Sequence, residues 1–231
     1  MPTHWPRSTG FGLPPTSPPD TPTSSLHTER RPRMKIGFIG AGMIGRAVST
    51  QLAKAGHDVL VSNSRGPESL KETFDPLGIS VGTPQEAAAQ DVVFLAVAWS
   101  NIPAALAGVD VSGKILVDTN NPIIMPGFTR ADTGGKTSSE VIADLAPGAH
   151  IVKAFNHMLF SSYDEGPLVD GSPKVLFHSS DHDDAHAVAE RLIKDLGYVP
   201  INLGGLVSGG ALYESPGPLA GRVFVEPAVA Q

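Results

Sequence analysis

From Lys35 onward, short apolar runs alternate with stretches whose apolar residues recur every three or four positions. KIGFI (Lys35 to Ile39) is rich in β-branched residues and predicts a buried parallel strand. In AGMIGRAVSTQLAKAG, Ile44, Val48, Leu52 and Ala55 fall at helical steps, and Gly56 supplies a C-terminal stop. DVLVSNS (Asp58 to Ser64) is the second expected strand, Pro67 to Phe74 a helix, and GISVG (78–82) a short third strand. Thr83 fits an N-cap and Pro84 the first position of a helix running to Ala89. DVVFLAVAW (Asp91 to Trp99) is the most apolar run and belongs at the centre of the sheet. A short helix over Asn101 to Leu106 and a fifth strand in KILVDTNN (114–121) follow. A polar loop through Gly134 and Gly135, the helix SSEVIADLA and the sixth strand HIVKAFNH (150–157) come next. Beyond these, PKVLFHSS, DDAHAVAERLIKDLG and YVPINLG read as strand, helix and strand of a smaller unit. The Gly-rich tail from Gly204 is expected to be loop with one short helix.

This alternation predicts an α/β fold: a Rossmann-type, doubly wound, mainly parallel sheet with a small C-terminal α/β extension. The expected division is 34–157 for the nucleotide-binding domain and 158–231 for the extension completing the acceptor site. Residues 1–33 differ in kind. Eight prolines mixed with Ser, Thr and Arg cannot bury enough apolar surface to offset ordering, so disorder is expected there. The segment lacks the apolar core of a secretory signal, and Met34 reads as the true or ancestral start.

Composition narrows the function. A formal net charge of −6 argues against a general nucleic-acid binder. No apolar run is long enough to span a bilayer, so no membrane part is expected. The absence of cysteine removes disulfides, thiolate metal sites and cysteine nucleophiles, and fits a cytoplasmic location.

The chemistry concentrates at one turn. Gly40, Gly42 and Gly45 spell G-x-G-x-x-G directly after a strand and at the opening of a helix, the context that makes this motif a dinucleotide-binding signal. The first glycine permits the tight turn, the second lets backbone approach a pyrophosphate, and the third lets helix and strand pack closely. An NAD site usually carries Asp or Glu about twenty residues on, to accept bonds from the ribose 2′-hydroxyl. Here the second strand ends in Ser62, Asn63, Ser64 and Arg65. A hydroxyl and a guanidinium suit a 2′-phosphate, so NADP(H) is the expected cofactor.

Other residues invite chemistry less strongly. His178, His182 and His186 are spaced by four, but His178 falls in a strand and His182 before a helix expected to be capped by Asp181 or Asp183, so no metal site is expected. His157, at a strand's carboxyl end, is a weak candidate for a catalytic proton donor. GGKTSS lacks the leading glycine of a phosphate-binding Walker loop, because Arg130 stands there. Trp99 is read as core or pocket wall.

The segments KIGFIGAGMIGRAVSTQLAKAGHDVLVSNSRGPESL, VVFLAVAW, ILVDTNNP, IVKAFNHM and LGGLVSGGALYESPGPLAG resemble, in that order, the NADPH-dependent coenzyme F420 reductases. The chain is also similar to the N-terminal domain of the six-transmembrane metalloreductases. The resemblance implies that Ala41, Gly42, Met43 and Ile44 line the pyrophosphate loop and that Ser64 and Arg65 hold the 2′-phosphate. It also implies that Val97 and Ala98 lie along the dinucleotide, and that Asn121 and Ala154 approach the nicotinamide. Family members often carry a basic residue where this chain has Ser69. The implied activity is hydride transfer between NADP(H) and a small-molecule acceptor, coenzyme F420 or a flavin (FMN or FAD), in a protein that is usually a homodimer. The acceptor ring would be bordered by AFNHM and Leu206 to Ala211.

Two other functions fit the opening domain. Imine, pyrroline-5-carboxylate and hydroxyacid reductases begin similarly but continue into a large helical domain, whereas the stretch after His157 reads as strands and one helix. A non-catalytic NADP-sensing or interaction protein would keep the same nucleotide site.

Overall fold

The computed structural model describes residues 32–227. The expectation of disorder over residues 1–33 falls almost wholly outside them. Arg33–Gln231 forms one compact unit.

Its frame is an eight-stranded sheet. The strands in chain order are β1 (Lys35–Ile39), β2 (Asp58–Ser62), β3 (Ser80–Gly82), β4 (Val92–Leu95), β5 (Ile115–Asp118), β6 (His150–Ala154), β7 (Val175–Ser180) and β8 (Val199–Asn202). They lie in the order β8-β7-β6-β5-β4-β1-β2-β3. Every pairing is parallel except β6 with β7, where His178 stands opposite Ala154. The chain winds outward from β1 through β2 to β3, then crosses back to β4 on the other side of β1. That reversal creates the crevice at which open α/β sheets bind ligands.

The helices α1 (Met43–Lys54), α2 (Glu68–Phe74), α3 (Pro84–Ala88), α4 (Ile102–Leu106), α5 (Ser138–Leu145), α6 (Phe160–Asp164) and α7 (Asp183–Asp195) cover the sheet. Alternation along the strands decides which side each residue serves. Phe38, Phe94, Val117 and Val152 pack with Val48 and Leu52 of α1, Phe74 of α2 and Leu192 of α7. Ile39, Leu95, Leu116 and Ile151 face the opposite way, toward Ala87 of α3, Ile102 of α4 and Ile142 of α5. Both faces are therefore apolar, which is why β4 reads as a continuous hydrophobic run rather than an alternating one.

The α/β, mainly parallel architecture and the central position of β4 agree with the sequence pattern. The last two strands, however, extend the same sheet rather than forming a unit beside it. All six residues of β7 are buried, so both its faces belong to the shared core. Other differences are local. The N-cap of α7 is His182, not Asp181 or Asp183, and its side chain makes no capping bond. The tail from Gly204 holds a five-residue π-helical segment (Leu206–Gly210) and then α8 (Ala211–Tyr213). The hairpin of Ile123–Ile124 with Thr129–Arg130 and helix α6 were too short for periodicity to announce.

One contact brings helix and strand unusually close. A Cβ at Gly37, in the middle of β1, would stand 1.9 Å from the carbonyl oxygen of Ala87 in α3. Backbone therefore rests on backbone, and neither can yield cheaply. Gly37→Ala is expected to cost about 1–3 kcal/mol through overpacking and to displace α3. Chemical denaturation monitored by circular dichroism should give a lower midpoint at unchanged slope; an unaltered midpoint would mean that α3 is free to move away from β1.

Candidate nucleotide site

A cleft of about 590 Å³ is walled by the turns that follow β1, β2 and β4. Gly40, Ala41 and Gly42 contribute from the first turn, Asn63, Ser64 and Arg65 from the second, and Val97 and Ala98 from the third. Sequence reasoning named all of these. It missed Pro84 and Gln85 from α3, and Asn101, Ala104 and Ala105 from the turn and helix after β4, which line the same cleft. No motif marks them; small side chains on a short helix beside an apolar strand were the only available signal.

The first turn is built by close packing. Gly40 has φ +114°, and a Cβ there would lie 2.2 Å from the Ala96 carbonyl oxygen. Its N–H donates to the Ser62 carbonyl at 3.0 Å, tying the turn to the end of β2. Gly42 differs, because a Cβ at that position would meet nothing within 4 Å. The open space beside it is what a phosphate approaching the backbone requires.

Helix α1 begins at this open glycine without a side-chain cap and without an acidic residue in its first turn. Helices α3 and α5, in contrast, each carry a full capping box, Thr83 with Glu86 and Thr137 with Glu140. The amino end of α1 thus keeps unbonded N–H groups and the positive end of its dipole beside the cleft.

The second turn adds charge. Asn63 Oδ1 accepts from the Arg65 backbone N–H at 2.9 Å, and its Nδ2 donates to Ser69 Oγ at 2.9 Å. Asn63 and Ser69 therefore shape the loop, and the exposed Ser64 and Arg65 line the cleft. Among the described residues Arg65 forms no ion pair, whereas Arg33 and Arg130 each face a carboxylate. These features together fit a dinucleotide carrying a 2′-phosphate.

Several expected site residues sit elsewhere. Ser62 is fully buried and its Oγ donates to the Phe38 carbonyl at 2.8 Å, so it stabilises the strand pair rather than contacting the cleft. Gly45 lies beneath the turn, where a Cβ would be 2.4 Å from the Gly40 carbonyl oxygen. Met43, exposed, and the half-buried Ile44 occupy the first turn of α1 without lining the cleft. Asn121 and Ala154 are found beyond β5 and at the end of β6, with Ala154 wholly buried.

At those strand ends the structure reveals a buried polar network with no counterpart in the sequence reading. Asp118 at the end of β5 and Lys153 in β6 are both fully buried and lie 3.1 Å apart. Lys153 Nζ also donates to the Asn120 carbonyl (2.9 Å) and to Ser138 Oγ (2.7 Å). Each charge interrupts an otherwise apolar strand, in ILVD and IVKAF, which is the signal that could have disclosed the pair.

His157 is only 1% exposed, its ring centroid 4.8 Å from that of Phe177 and 6.3 Å from that of Tyr213. Burial, partly offset by the Val175 backbone, pushes its pKa down to about 4. It is an aromatic-core histidine held neutral, and it does not line the cleft. His178 is also in the core, its Nδ1 3.1 Å from that of His186. At the amino end of β6, His150, His182 and Asp184 bring three ligand-type atoms within 4.8 Å of one another. The two imidazoles are stacked at 4.1 Å with only 4° between their planes, so their lone pairs run side by side rather than converging on a point.

A doubly wound sheet with an uncapped glycine-turn helix, and after β2 an arginine without an ion pair among the described residues, has the form of a Rossmann-type dinucleotide-binding fold. The chain belongs to the family described as NADP oxidoreductase, coenzyme F420-dependent, whose pattern it matches over residues 35–122. It is 34% identical to a solved hypothetical protein, SMa0349 of Sinorhizobium meliloti, covering 84% of this chain and 96% of that one with a TM-score of 0.78. A protein of Arthrobacter sp. FB24, described as a candidate F420-dependent NADP reductase, is 30% identical over 75% of this chain and 86% of its own, with a TM-score of 0.64. Metalloreductase STEAP3 of Rattus norvegicus is 29% identical over 75% of this chain, which spans about a third (34%) of that protein. An imine reductase of Pseudomonas sp. shares the fold alone, at 20% identity over 75% of this chain and 56% of its own, with a TM-score of 0.57. The chain is thus an NADP-dependent oxidoreductase by family. Among the described residues no helix is long and apolar enough to cross a membrane.

The buried imidazoles make stability sensitive to acid. His157 and His178 each titrate at about 4 in the folded protein, against 6.5 ordinarily. Between those values the unfolded chain binds protons that the folded one refuses, so the contribution of these two groups to stability falls as pH drops from 6.5 toward 4 and is constant above that window. His157 alone contributes about 3 kcal/mol of that loss. His157→Phe is expected to give a shallower decline in urea midpoint between pH 6.5 and 4; a decline as steep as that of the unsubstituted protein would show that the ring is charged in the core.

Proposed function

We propose that this protein transfers hydride between NADP(H) and a planar acceptor of the deazaflavin or flavin type, coenzyme F420 first among them. The family supports the acceptor class, and the cleft supports the phosphorylated dinucleotide. The observation carrying the nucleotide assignment is Arg65 beside Ser64, without an ion pair among the described residues, at the position where an NAD site would hold a carboxylate.

When bound, the dinucleotide supplies the hydride; the protein supplies position. The amino end of α1 and the bare backbone at Gly42 would take the diphosphate, while Ser64 and Arg65 would grip the 2′-phosphate. Val97, Ala98 and the residues of α4 offer an apolar wall that excludes water along the cleft. Binding of this kind fixes orientation, the main contribution a protein makes to hydride transfer. No side chain is assigned as proton donor, His157 included, because its ring is enclosed by Phe177 and Tyr213. The proposed partners are the small-molecule acceptor and a second copy of the chain.

Arg65→Ala should weaken NADPH binding by about 1.5–3 kcal/mol, the worth of a charge-assisted bond, and leave NADH binding unchanged. Calorimetry with both nucleotides checks this, and an equal loss for both would remove the 2′-phosphate assignment. The acceptor is tested by stopped-flow mixing of protein and NADPH with F420, FMN, FAD or pyrroline-5-carboxylate. Loss of nicotinamide absorbance is expected with the deazaflavin or a flavin. Turnover of the imine alone would overturn the reading, and binding of NADPH without turnover of any acceptor would point to a sensor.

A further inference from the structure

The crevice at the β1/β4 reversal divides a bound dinucleotide into two halves. The glycine turn and the Ser64–Arg65 loop stand over β1 and β2. A chain of ligand extending the other way must run over the ends of β4, β5 and β6. There the loop Thr119 to Asn121 follows β5, with Thr119 Oγ1 and Asn120 Nδ2 both bonded to the Leu95 carbonyl, next to the cleft-lining Ala96, and the buried network converges on that loop.

The buried Glu214 also faces this network, its Oε2 3.9 Å from Lys153 Nζ and accepting from the Ser138 N–H at 2.7 Å. Lys153 Nζ spends its three hydrogens on Asp118 Oδ2, the Asn120 carbonyl and Ser138 Oγ. Asp118 Oδ2 also accepts from Ser139 Oγ at 2.6 Å, and Oδ1 accepts from the Asn120 backbone N–H and side-chain amide at 2.8 and 3.0 Å. Asn120 Nδ2 reaches the Leu95 carbonyl at 2.9 Å, fastening the loop to the end of β4 as well. The next residue, Asn121, donates to the Asn156 carbonyl at 2.9 Å and accepts from Asn156 Nδ2 and the Ser215 N–H at 3.1 and 2.9 Å. The loop is thereby held from β4, β6 and the tail at once. Beside it the side-chain oxygen of Asn156, buried, has no donor among the described residues.

Burying a lysine and an aspartate is expensive, and an apolar pair of similar size would give comparable or greater stability. What the pair supplies that an apolar pair could not is a set of directional bonds to one loop. We infer that Lys153, acting through Asp118 and Asn120, is a positioning residue that fixes the Thr119–Asn121 loop as the platform for the nicotinamide half of the dinucleotide. It touches no reacting atom, and its effect is confined to one end of the site. This inference rests on the nucleotide reading proposed above and assigns the other half of the same site.

The two halves can be separated with two ligands. NADPH spans the whole site, whereas 2′,5′-ADP carries only the adenine, ribose and 2′-phosphate portion. Ser139→Ala removes one bond to Asp118 and keeps both charges, so it is the variant most certain to fold; Lys153→Met is the stronger perturbation. Calorimetric titration of Ser139→Ala should give NADPH affinity reduced about tenfold, with 2′,5′-ADP affinity within about twofold of the unsubstituted protein. Lys153→Met should widen the same ratio wherever it folds. Equal weakening of both ligands would mean a purely structural role and would overturn the inference, as would unchanged affinity for both. Failure of the unsubstituted protein to bind either ligand would sink the nucleotide reading itself, a distinct outcome.

Discussion

A Cβ at Gly40 would come within 2.2 Å of the Ala96 carbonyl oxygen, and one at Gly37 within 1.9 Å of that of Ala87. Strand β1 is therefore clamped by bare backbone: Gly37 against α3, Gly40 against the end of β4. Everything that makes the cleft follows from that proximity. With the turn pressed onto β4, α1 must start at the crevice and point its uncapped amino end into it. With α3 pressed onto β1, Pro84 and Gln85 reach the same cleft from the other face. Side chains at these glycines would push the layers apart and remove the walls together.

Two different solutions to charge meet in this protein. Arg65 is exposed, without an ion-pair partner among the described residues, and set at the end of a strand. A cation so placed keeps its Coulombic attraction for an incoming phosphate. Lys153 is the opposite case: three acceptors saturate it and no surface of it is exposed. Its charge is consumed in holding loops. The first arrangement suits recognition of an anionic ligand, and the second organises the framework beside it. Reading both as generic basic residues would conflate two functions that burial alone separates.

The sequence disclosed the fold well because its signals are local. KIGFI, DVVFLAVAW and the three glycines between strand and helix carry their meaning within a few residues, and Thr83-Pro84 announces a capped helix directly. It disclosed less where contacts are distant. Ser62 looked like a cofactor contact because it lies just before Ser64, yet it is the last residue of β2 and its hydroxyl donates to the Phe38 carbonyl of the neighbouring strand, while Ser64 falls in the turn beyond. Asp118 and Lys153 stand 35 residues apart, and only the pairing of β5 with β6 brings them together. His157 likewise sits at a strand's carboxyl end, where ligands bind, but Phe177 and Tyr213 come from later in the chain and close over it. In each case the missing information was which face a residue presents once remote strands have paired.

The relatives separate what the domain does from what surrounds it. The part that matches this chain makes up about a third of the metalloreductase and just over half of the imine reductase, but nearly the whole of the Sinorhizobium protein. The nucleotide half of the proposed site depends on backbone geometry near β1 and β2. The acceptor half is a different matter. The proposed reading assembles it from β6 onward, and there β7 reverses direction, the π-helical segment Leu206–Gly210 packs against the sheet, and Tyr213 donates to the Lys153 carbonyl at 2.7 Å. That bond ties the tail to the strand bearing the buried lysine. The elements of the proposed acceptor side are thus fastened to the framework that holds the Thr119–Asn121 loop, so a change in acceptor preference within such proteins would be expected to arise in the tail and the β5–β6 loops while the glycine turn stays as it is.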